Sequence, residues 1–549
     1  MADLSLYAGR WIALAENNEI ASVGVTLEDA RHAGRVARPK ERLHLAWVTP
    51  HPPHLPLPEW PLRPLARLLP TSQVWLVGGA VRDLLLGRPL HDWDFAVSDH
   101  ALALARQVAD VLEAAYYPLD VERDTGRVVI TDPHTQRIVS LDFAGLRGKT
   151  LAEDLALRDF TINAMALTLE GQLIDPLGGS QDLTQRVIRA TGDQTFTHDP
   201  ARLLRAARQA NELGFCLDDA TRQAICAQSD AISAVAPERI RAELAHILHK
   251  AGAASGIQLL SELGLLSPIL PEVQCLDMVK QTHPHYYADA WTHTLAALAA
   301  VEGLQAMRVG ETRTADTDAR VPVPRWAWTL LAETLMPFQH ALCAYLDTPI
   351  NAEMTWGDAL KWGALFHDIG KADTGTVDAQ GQRHFYRHPE IGAEQTAQRL
   401  ETLHFPKKST QAIQTLVAAH MRLIGMVKAP LTRRATYRFY RDTEDAGVAV
   451  VLLALADALA VWGRKLEQPY WRLLLSHAAT LLSSYFERPD EIIKPVPLLT
   501  GHDLLAMGLA EGPRIGQVLA ALQEAQAAGE IGNRADAEAF AHTQFEITR

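Results

Sequence analysis

The sequence predicts a multidomain α+β protein. It reads as a head of mixed strands and helices, a mostly helical neck and body, an all-α metal-binding domain and a small helical tail. Three observations carry this reading. At 549 residues the chain exceeds what one hydrophobic core serves. Strand-like and helical patterns alternate between residues 70 and 192, whereas beyond Asp199 the chain is dominated by Ala, Leu and Arg with few β-branched runs. Histidine and aspartate recur inside otherwise apolar helical stretches of the second half, where a buried charge is costly unless paired or bound to metal.

Composition narrows the class. Apolar content of 48% and charged content of 21% are those of an ordinary folded protein. No apolar run is read as long enough to cross a bilayer, and residues 1–10 lack a basic-then-apolar leader, so a cytoplasmic protein without a membrane partner is expected. Cys216, Cys226, Cys275 and Cys343 are far apart and show no CxxC spacing, which points to buried free thiols. A formal net charge of −13 argues against indiscriminate coating of nucleic acid but leaves room for local RNA-binding patches. Nothing in the sequence sets an oligomeric state.

The first 50 residues form a small α/β unit in this reading: strands at 11–14 and 20–25 around a polar turn at 16–19, a helix at 27–37 and a strand at 43–48. Residues 51–69 are a proline-rich linker, stiff and extended. The head occupies 70–192. Its segment 74–97, VWLVGGAVRDLLLGRPLHDWDFAV, begins with a strand that ends at Gly78-Gly79. A helix at about 80–86 follows, stopped by Gly87, and then a second strand carries Asp92 and Asp94. Residues i and i+2 of a strand share a face, so the two carboxylates repel unless a divalent cation joins them. Hard oxygen ligands suit Mg²⁺, which also takes phosphate oxygens. Paired glycines allow backbone N–H groups to approach a triphosphate before a helix N-terminus. Strands are also expected at 127–131 and 137–143. In the latter, Val139, Leu141 and Phe143 face one side, while Ser140 and Asp142 face the other and bring a third carboxylate.

These residues resemble the polymerase-β-like nucleotidyltransferase superfamily, in particular its class II tRNA nucleotidyltransferase (CCA-adding) and bacterial poly(A) polymerase branch. The resemblance implies that Asp92 and Asp94 hold Mg²⁺, that Asp142 assists, and that Gly78, Gly79 and Arg82 cradle a triphosphate. LALRDFTINAM at 155–165 is similar to the ribose motif RRDxxxNAM, with Leu157 in place of its first Arg. Arg158, Asp159 and Asn163, read as lying on one helix over 151–167, would bind nucleotide, Asp159 by accepting from ribose hydroxyls. DPLGGSQDLTQRVIR at 175–189 resembles a motif that couples head to neck.

The neck, 193–275, opens with HDPARLLRAAR at 198–208, where Asp199 is a good N-cap, Pro200 suits the first helical position, and Arg202, Arg205 and Arg208 recur on one face. It resembles the family's EDxxR template, which reads the base edge through its Asp and Arg, here Asp199 and Arg202. His198 replaces Glu, which leaves full CCA addition and partial (CC-only or A-only) addition both open.

The domain expected at 276–485 contains His293, His367-Asp368 within HDIGK, His388, His420 and Asp457. The order H…HD…H…H…D resembles the HD phosphohydrolase superfamily. That resemblance implies one metal held by His293, His367, Asp368 and Asp457, with His388 and His420 either holding a second or contacting phosphate. Mixed imidazole and carboxylate ligands suit Ni²⁺, Mn²⁺, Fe²⁺ or Zn²⁺ better than Mg²⁺ alone. It also implies phosphatase or 2′,3′-cyclic phosphodiesterase activity. A loop is expected at 309–323. Between Arg422 and Arg441, basic residues interleave with Tyr437, Phe439 and Tyr440, either to stack on bases or as one face of a packed helix. A helical module at 490–549 closes the chain. The implied activity is transfer of C and/or A, all or part of CCA, from CTP or ATP to a tRNA 3′ end with release of pyrophosphate. A poly(A) polymerase and a metal phosphohydrolase with an RNA-binding head are the rivals.

Overall fold

The computed structural model describes residues 7, 10–15, 19–24, 26–48, 60–62, 65–66, 69–70, 73–90, 92–133, 135–282, 284–308 and 319–545. Most of the turn expected at 16–19, of the proline-rich connector and of the loop expected at 309–323 lies outside them. The chain divides into two compact units, Met1–Gln228 and Ser229–Arg549, and the division falls inside the segment read as the neck.

The first unit begins with β1 (Arg10–Leu14), β2 (Ile20–Gly24), α1 (Leu27–Ala37) and β3 (His44–Val48), within a residue or so of the pattern read from sequence. The strands form an antiparallel sheet in the order β2-β1-β3. Thr26 and Asp29 close a capping box that starts α1, and Trp11, Ile12, Ala13 and Ala30 are buried.

The head follows as β4 (Val74–Val77), α2 (Gly79–Leu85), β5 (Asp92–Val97), α3 (Ala101–Leu112), β6 (Ala115–Asp120), β7 (Thr125–Thr131), β8 (Ile138–Gly145), α4 (Leu151–Ala156), β9 (Ala166–Thr168) and β10 (Leu173–Ile174). Its seven-stranded sheet has the order β10-β9-β4-β5-β8-β7-β6. Every neighbouring pair is antiparallel except β5–β8. Alternation along β5 and β8 buries Trp93, Phe95, Leu141 and Phe143 on one face, where Phe95 and Phe143 stack with ring centroids 4.9 Å apart. The same alternation turns Asp92, Asp94 and Asp142 to the other face.

The single helix read over 151–167 is corrected. The chain is helical only to Ala156, makes one 3₁₀ turn at Thr161–Asn163 and then enters β9. Thr161 and Ile162 are β-branched, and the Asp159 carboxylate takes the backbone N–H of Phe160, so side chains compete with helix bonds. Beyond the head, α5 (Ala201–Leu213) carries the expected arginines and ends at Gly214 in the left-handed region.

The second unit is helical. Its principal helices are α6 (Ala290–Arg308), α7 (Trp356–Phe366), α8 (His388–Thr402), α9 (Lys407–Ala419), α10 (Arg433–Thr443), α11 (Gly447–Trp462) and α12 (Pro513–Ala528). Two short hairpins, Pro349–Asn351 with Met354–Thr355 and Gly375–Val377 with Arg383–Phe385, break the all-α expectation. The cysteines are free thiols but not buried: Cys216, Cys226 and Cys275 are exposed and Cys343 is half-buried. A second correction concerns hydrophobicity: the helical run Arg433–Lys465 is long and apolar enough to cross a membrane. In the fold 89% of its most apolar window is buried inside the protein, and α11 is a core helix carrying Asp457. The basic patch also resolves into packing. Arg434, Arg438 and Arg441 all bond Glu524 of α12, while Tyr437, Phe439 and Tyr440 are buried.

Candidate active and metal centres

Two clusters gather the residues singled out in the sequence, one in each unit. In the head, the parallel register sets Asp94 opposite Asp142 and Asp92 opposite Ser140. Asp92 is exposed and the other two carboxylates are half-buried. Burial, reinforced by Asp142 and Asp92, pushes the Asp94 carboxyl above the usual range, while Arg158 and Arg205 pull it back. A face of hard oxygen donors on which like charges crowd fits a divalent cation of the Mg²⁺ type. Gly78 borders this face with φ +73°; a Cβ there would lie 2.9 Å from Arg158 Nη1 and 3.7 Å from Asp94 Oδ2. Only glycine serves both demands.

A polar network ties the nucleotide-binding candidates together. Arg82 Nη1 donates to Asn163 Oδ1 at 2.9 Å, and Asn163 Nδ2 donates to Asp159 Oδ1 at 2.9 Å. Arg205 reaches the other Asp159 oxygen at 3.3 Å. Arg158 pairs with Asp154 at 3.0 Å. Arg208 turns along its own helix to Glu212 at 3.1 Å. Asp199 Oδ1 accepts from the N–H of Ala201, one residue later than a strict N-cap reading places the helix start. Arg202 is buried and donates to the carbonyls of Leu157, Arg158 and Thr195, at 2.8, 3.1 and 3.4 Å. Those carbonyls fix the plane of its guanidinium and leave the Nε–H edge without a protein partner among the described residues.

Two participants escaped the sequence reading. Arg127 of β7 grips both oxygens of Asp142 at 2.7 Å each, and Gln209 of α5 accepts from Asn163 at 3.0 Å. The antiparallel register that sets Arg127 opposite Asp142 was the available signal for the first; nothing local marks the second.

In the second unit six ligand-type side chains from five elements converge as two triads, His293–His367–Asp457 and Asp368–His388–His420. His293 lies in the first turn of α6, His367 caps α7, His388 begins α8, His420 caps α9 and Asp457 sits within α11. All are buried. His293 Nε2 lies 3.1 Å from His367 Nε2, 3.2 Å from Asp368 Oδ2 and 3.1 Å from Asp457 Oδ1. His388 Nε2 lies 3.2 Å from His420 Nε2 and 3.4 Å from Asp368 Oδ1. Two ligands bound at about 2.1 Å to one ion stand about 3.0 Å apart at a right angle and about 3.4 Å apart at the tetrahedral angle. The spacings therefore fit ligands of shared ions, with the two Asp368 oxygens facing different triads.

The backbone sets the tautomers. The Nδ1 atoms of His367, His388 and His420 lie 2.8, 2.8 and 2.7 Å from the carbonyls three residues earlier, Ala364, Phe385 and Val417. Each Nδ1 therefore donates to its carbonyl, which turns each Nε2 toward the centre. Burial, with His367 and His388 adding to it, pushes the His420 imidazole down to about 3, so it is neutral as a ligand must be. Burial would raise Asp368 and Asp457, but the surrounding cationic groups overcome it and hold both below the usual carboxylate range. Gly370 lets the turn after Asp368 touch α8, since a Cβ there would meet the His388 carbonyl oxygen at 2.3 Å. Lys371 is a buried cation 2.6 Å from Asp368 Oδ2 that also donates to Gln281 at 2.8 Å.

A nucleotidyl-transfer head followed by an HD-type metal centre defines the class. Residues 74–189 match the poly A polymerase head domain, 214–276 the probable RNA and SrmB-binding site of polymerase A, and 351–462 the HD domain. The chain is 34% identical to an A-adding tRNA nucleotidyltransferase of Deinococcus radiodurans, over 86% of this chain and 96% of that protein. It is 33% identical to a CC-adding tRNA nucleotidyltransferase of Thermus thermophilus, over 84% of this chain and 92% of that protein. A solved CCA-adding enzyme in complex with ATP shares the fold at TM-score 0.55 and 19% identity, covering 88% of this chain and 94% of that one. The chain belongs to the tRNA nucleotidyltransferase family and is a template-independent RNA nucleotidyltransferase carrying an HD domain.

Proposed function

We propose that the protein adds part of the CCA end, either CC or the final A, to tRNA from CTP or ATP. The placement of Asp92, Asp94 and Asp142 on one sheet face beside Gly78 is the observation that supports the chemistry. The choice of partial addition rests on relatives that match about 85% of the chain, each of which is named for one part of that end. His198, where the template motif has Glu, agrees with it. Such a substrate also fits a cytoplasmic setting.

Asp92 and Asp94 would hold Mg²⁺, which when bound supplies positive charge to the reacting phosphate oxygens. The tRNA 3′-hydroxyl oxygen attacks the α-phosphorus, the bond from that phosphorus to the β-bridging oxygen breaks, and pyrophosphate leaves. The hydroxyl proton passes to solvent, while Arg127 pairs with both Asp142 oxygens. Asp142 then acts through its charge on Asp94. Arg82 steadies the triphosphate, Asp159 accepts from the ribose, and Arg202, its plane fixed by three carbonyls, presents its Nε–H edge to the base beside Asp199.

The HD centre is read as a phosphohydrolase for phosphomonoester or 2′,3′-cyclic phosphate ends. A transition metal such as Mn²⁺, Ni²⁺, Fe²⁺ or Zn²⁺ fits its mixed nitrogen and oxygen donors and would supply an activated water.

Three tRNA transcripts, lacking the tail, ending in one C, or ending in CC, incubated with labelled CTP, ATP or both, test the reading. Addition that stops at CC, or a single A on the CC transcript alone, is the expected result. A complete CCA from both nucleotides, or long A tails on arbitrary RNA, overturns it.

A further inference from the structure

Gln209 is buried on α5 among Ala206, Ala207 and Ala210, where an apolar side chain would serve packing alone. Its place on the helix accounts for the exception. Arg202, Arg205 and Gln209 stand at i, i+3 and i+7 and share one face. That face holds the nucleotide-binding segment at residues 157, 158, 159 and 163. Arg202 donates to the carbonyls of Leu157 and Arg158, Arg205 donates to Asp159 Oδ2, and Gln209 Oε1 accepts from Asn163 Nδ2 at 3.0 Å.

Asn163 is itself buried and fully engaged. Its two N–H groups go to Asp159 Oδ1 and Gln209 Oε1, and its Oδ1 accepts from Arg82. Turned over, the amide would set oxygen against oxygen at Asp159 and Gln209 and N–H against the Arg82 guanidinium. Asp159 Oδ1 also accepts the N–H of Phe160, which fills its two lone-pair sites. Oδ2 accepts from Arg205 and keeps one site for a ribose hydroxyl.

We propose that Gln209 is a positioning residue for sugar recognition. By fixing the Asn163 amide it holds the Asp159 carboxylate in the plane that accepts a ribose hydroxyl. The helix that carries the base-reading residues thereby also sets the discrimination between ribonucleotides and 2′-deoxyribonucleotides. The inference rests on reading Asp159 as the ribose acceptor and adds what orients it. Without an acceptor at position 209, one buried N–H of Asn163 is left unpaired. The amide then turns toward other acceptors, and Asp159, bonded to the same nitrogen, turns with it. Arg82 stays anchored, because Asp83 accepts from it at 2.9 and 2.8 Å. The loss therefore falls on the sugar contact more than on the triphosphate contacts.

The test uses the full chain with Mg²⁺ and the tRNA transcripts that lack the tail or end in CC. Steady-state kcat and KM are measured for CTP and ATP and for their 2′-deoxy counterparts. Wild type is expected to use the ribonucleotide at least about tenfold better in kcat/KM. Gln209→Met, close in length but without the amide oxygen, should lower that ratio by about 3- to 10-fold, chiefly through the KM of the ribonucleotide. Gln209→Leu should do the same, and stands in if the Met variant does not fold. Gln209→Glu retains an acceptor oxygen and should keep the wild-type ratio. A role confined to packing would instead lower both sugars equally. An unchanged ratio in the Met and Leu variants, where Asp159→Ala has abolished it, overturns the inference alone. Equal use of both sugars by the wild type, or a ratio that survives Asp159→Ala, overturns the ribose reading and the inference with it.

Discussion

In the head, three carboxylates stand on one sheet face, Asp92 exposed and Asp94 and Asp142 half-buried, with oxygen as the donor atom and arginines around them. In the second unit, four imidazoles and two carboxylates are sealed in the interior, and three of the imidazoles are aimed by backbone carbonyls. The first arrangement leaves Asp94 raised by burial and by its like-charged neighbours until a cation arrives. The second orients three of its imidazoles through the backbone before any ion binds. A partly exposed, all-oxygen face suits a hard ion that comes and goes with substrate; a buried nitrogen-rich pocket suits a resident transition metal.

If the contrast holds, the largest effect comes from Asp92→Ala or Asp94→Ala. Each should cut nucleotide incorporation by about a thousandfold or more while leaving ester hydrolysis intact. Loss of both activities together would break the separation. His367→Ala should do the converse, reducing hydrolysis to background with incorporation within about threefold of wild type, measured by the same two assays.

Arg127→Ala sharpens the account of the head. Freed from Arg127, the Asp142 charge bears more strongly on Asp94 and raises its proton affinity further. Incorporation should fall about 10- to 100-fold at neutral pH, the usual range for partners of a metal ligand. The acid limb of its pH profile should move to higher pH, since Asp94 must lose its proton to act. An unchanged limb would mean that Asp142 does not bear on Asp94. The smallest effect is expected for Arg438→Ala. This residue is engaged with Glu524 of α12, so affinity for tRNA should change less than about twofold in a filter-binding assay. A larger drop would restore the basic patch as an RNA contact.

The sequence displayed the head site almost completely, because its signals are local. Period-two spacing sets Asp92 and Asp94 on one face, and alternation in β8 assigns Asp142 to that same side. The same holds for the four elements of the N-terminal unit. What stayed hidden depends on pairings distant in sequence. Arg127 meets Asp142 through strand register, and Gln209 meets Asn163 through the packing of α5 on the head. The aromatic residues of α10 were ambiguous until Glu524, some eighty residues on, took the arginines beside them. Residues 151–167 misled because their apolar spacing suits a helix, while Thr161, Ile162 and the Asp159 side chain favour leaving it. In α11 the near-continuous apolar run that meets a membrane criterion is instead the price of carrying Asp457 through the core.

Metal content of the full chain, purified without added metal and dialysed against chelator-free buffer, tests the contrast most directly. The account predicts bound transition metal, retained by the Asp92→Ala/Asp94→Ala double variant and lost from His367→Ala, with no Mg²⁺ held in the absence of nucleotide. Transition metal lost with the head carboxylates, or none in the wild type, would contradict it.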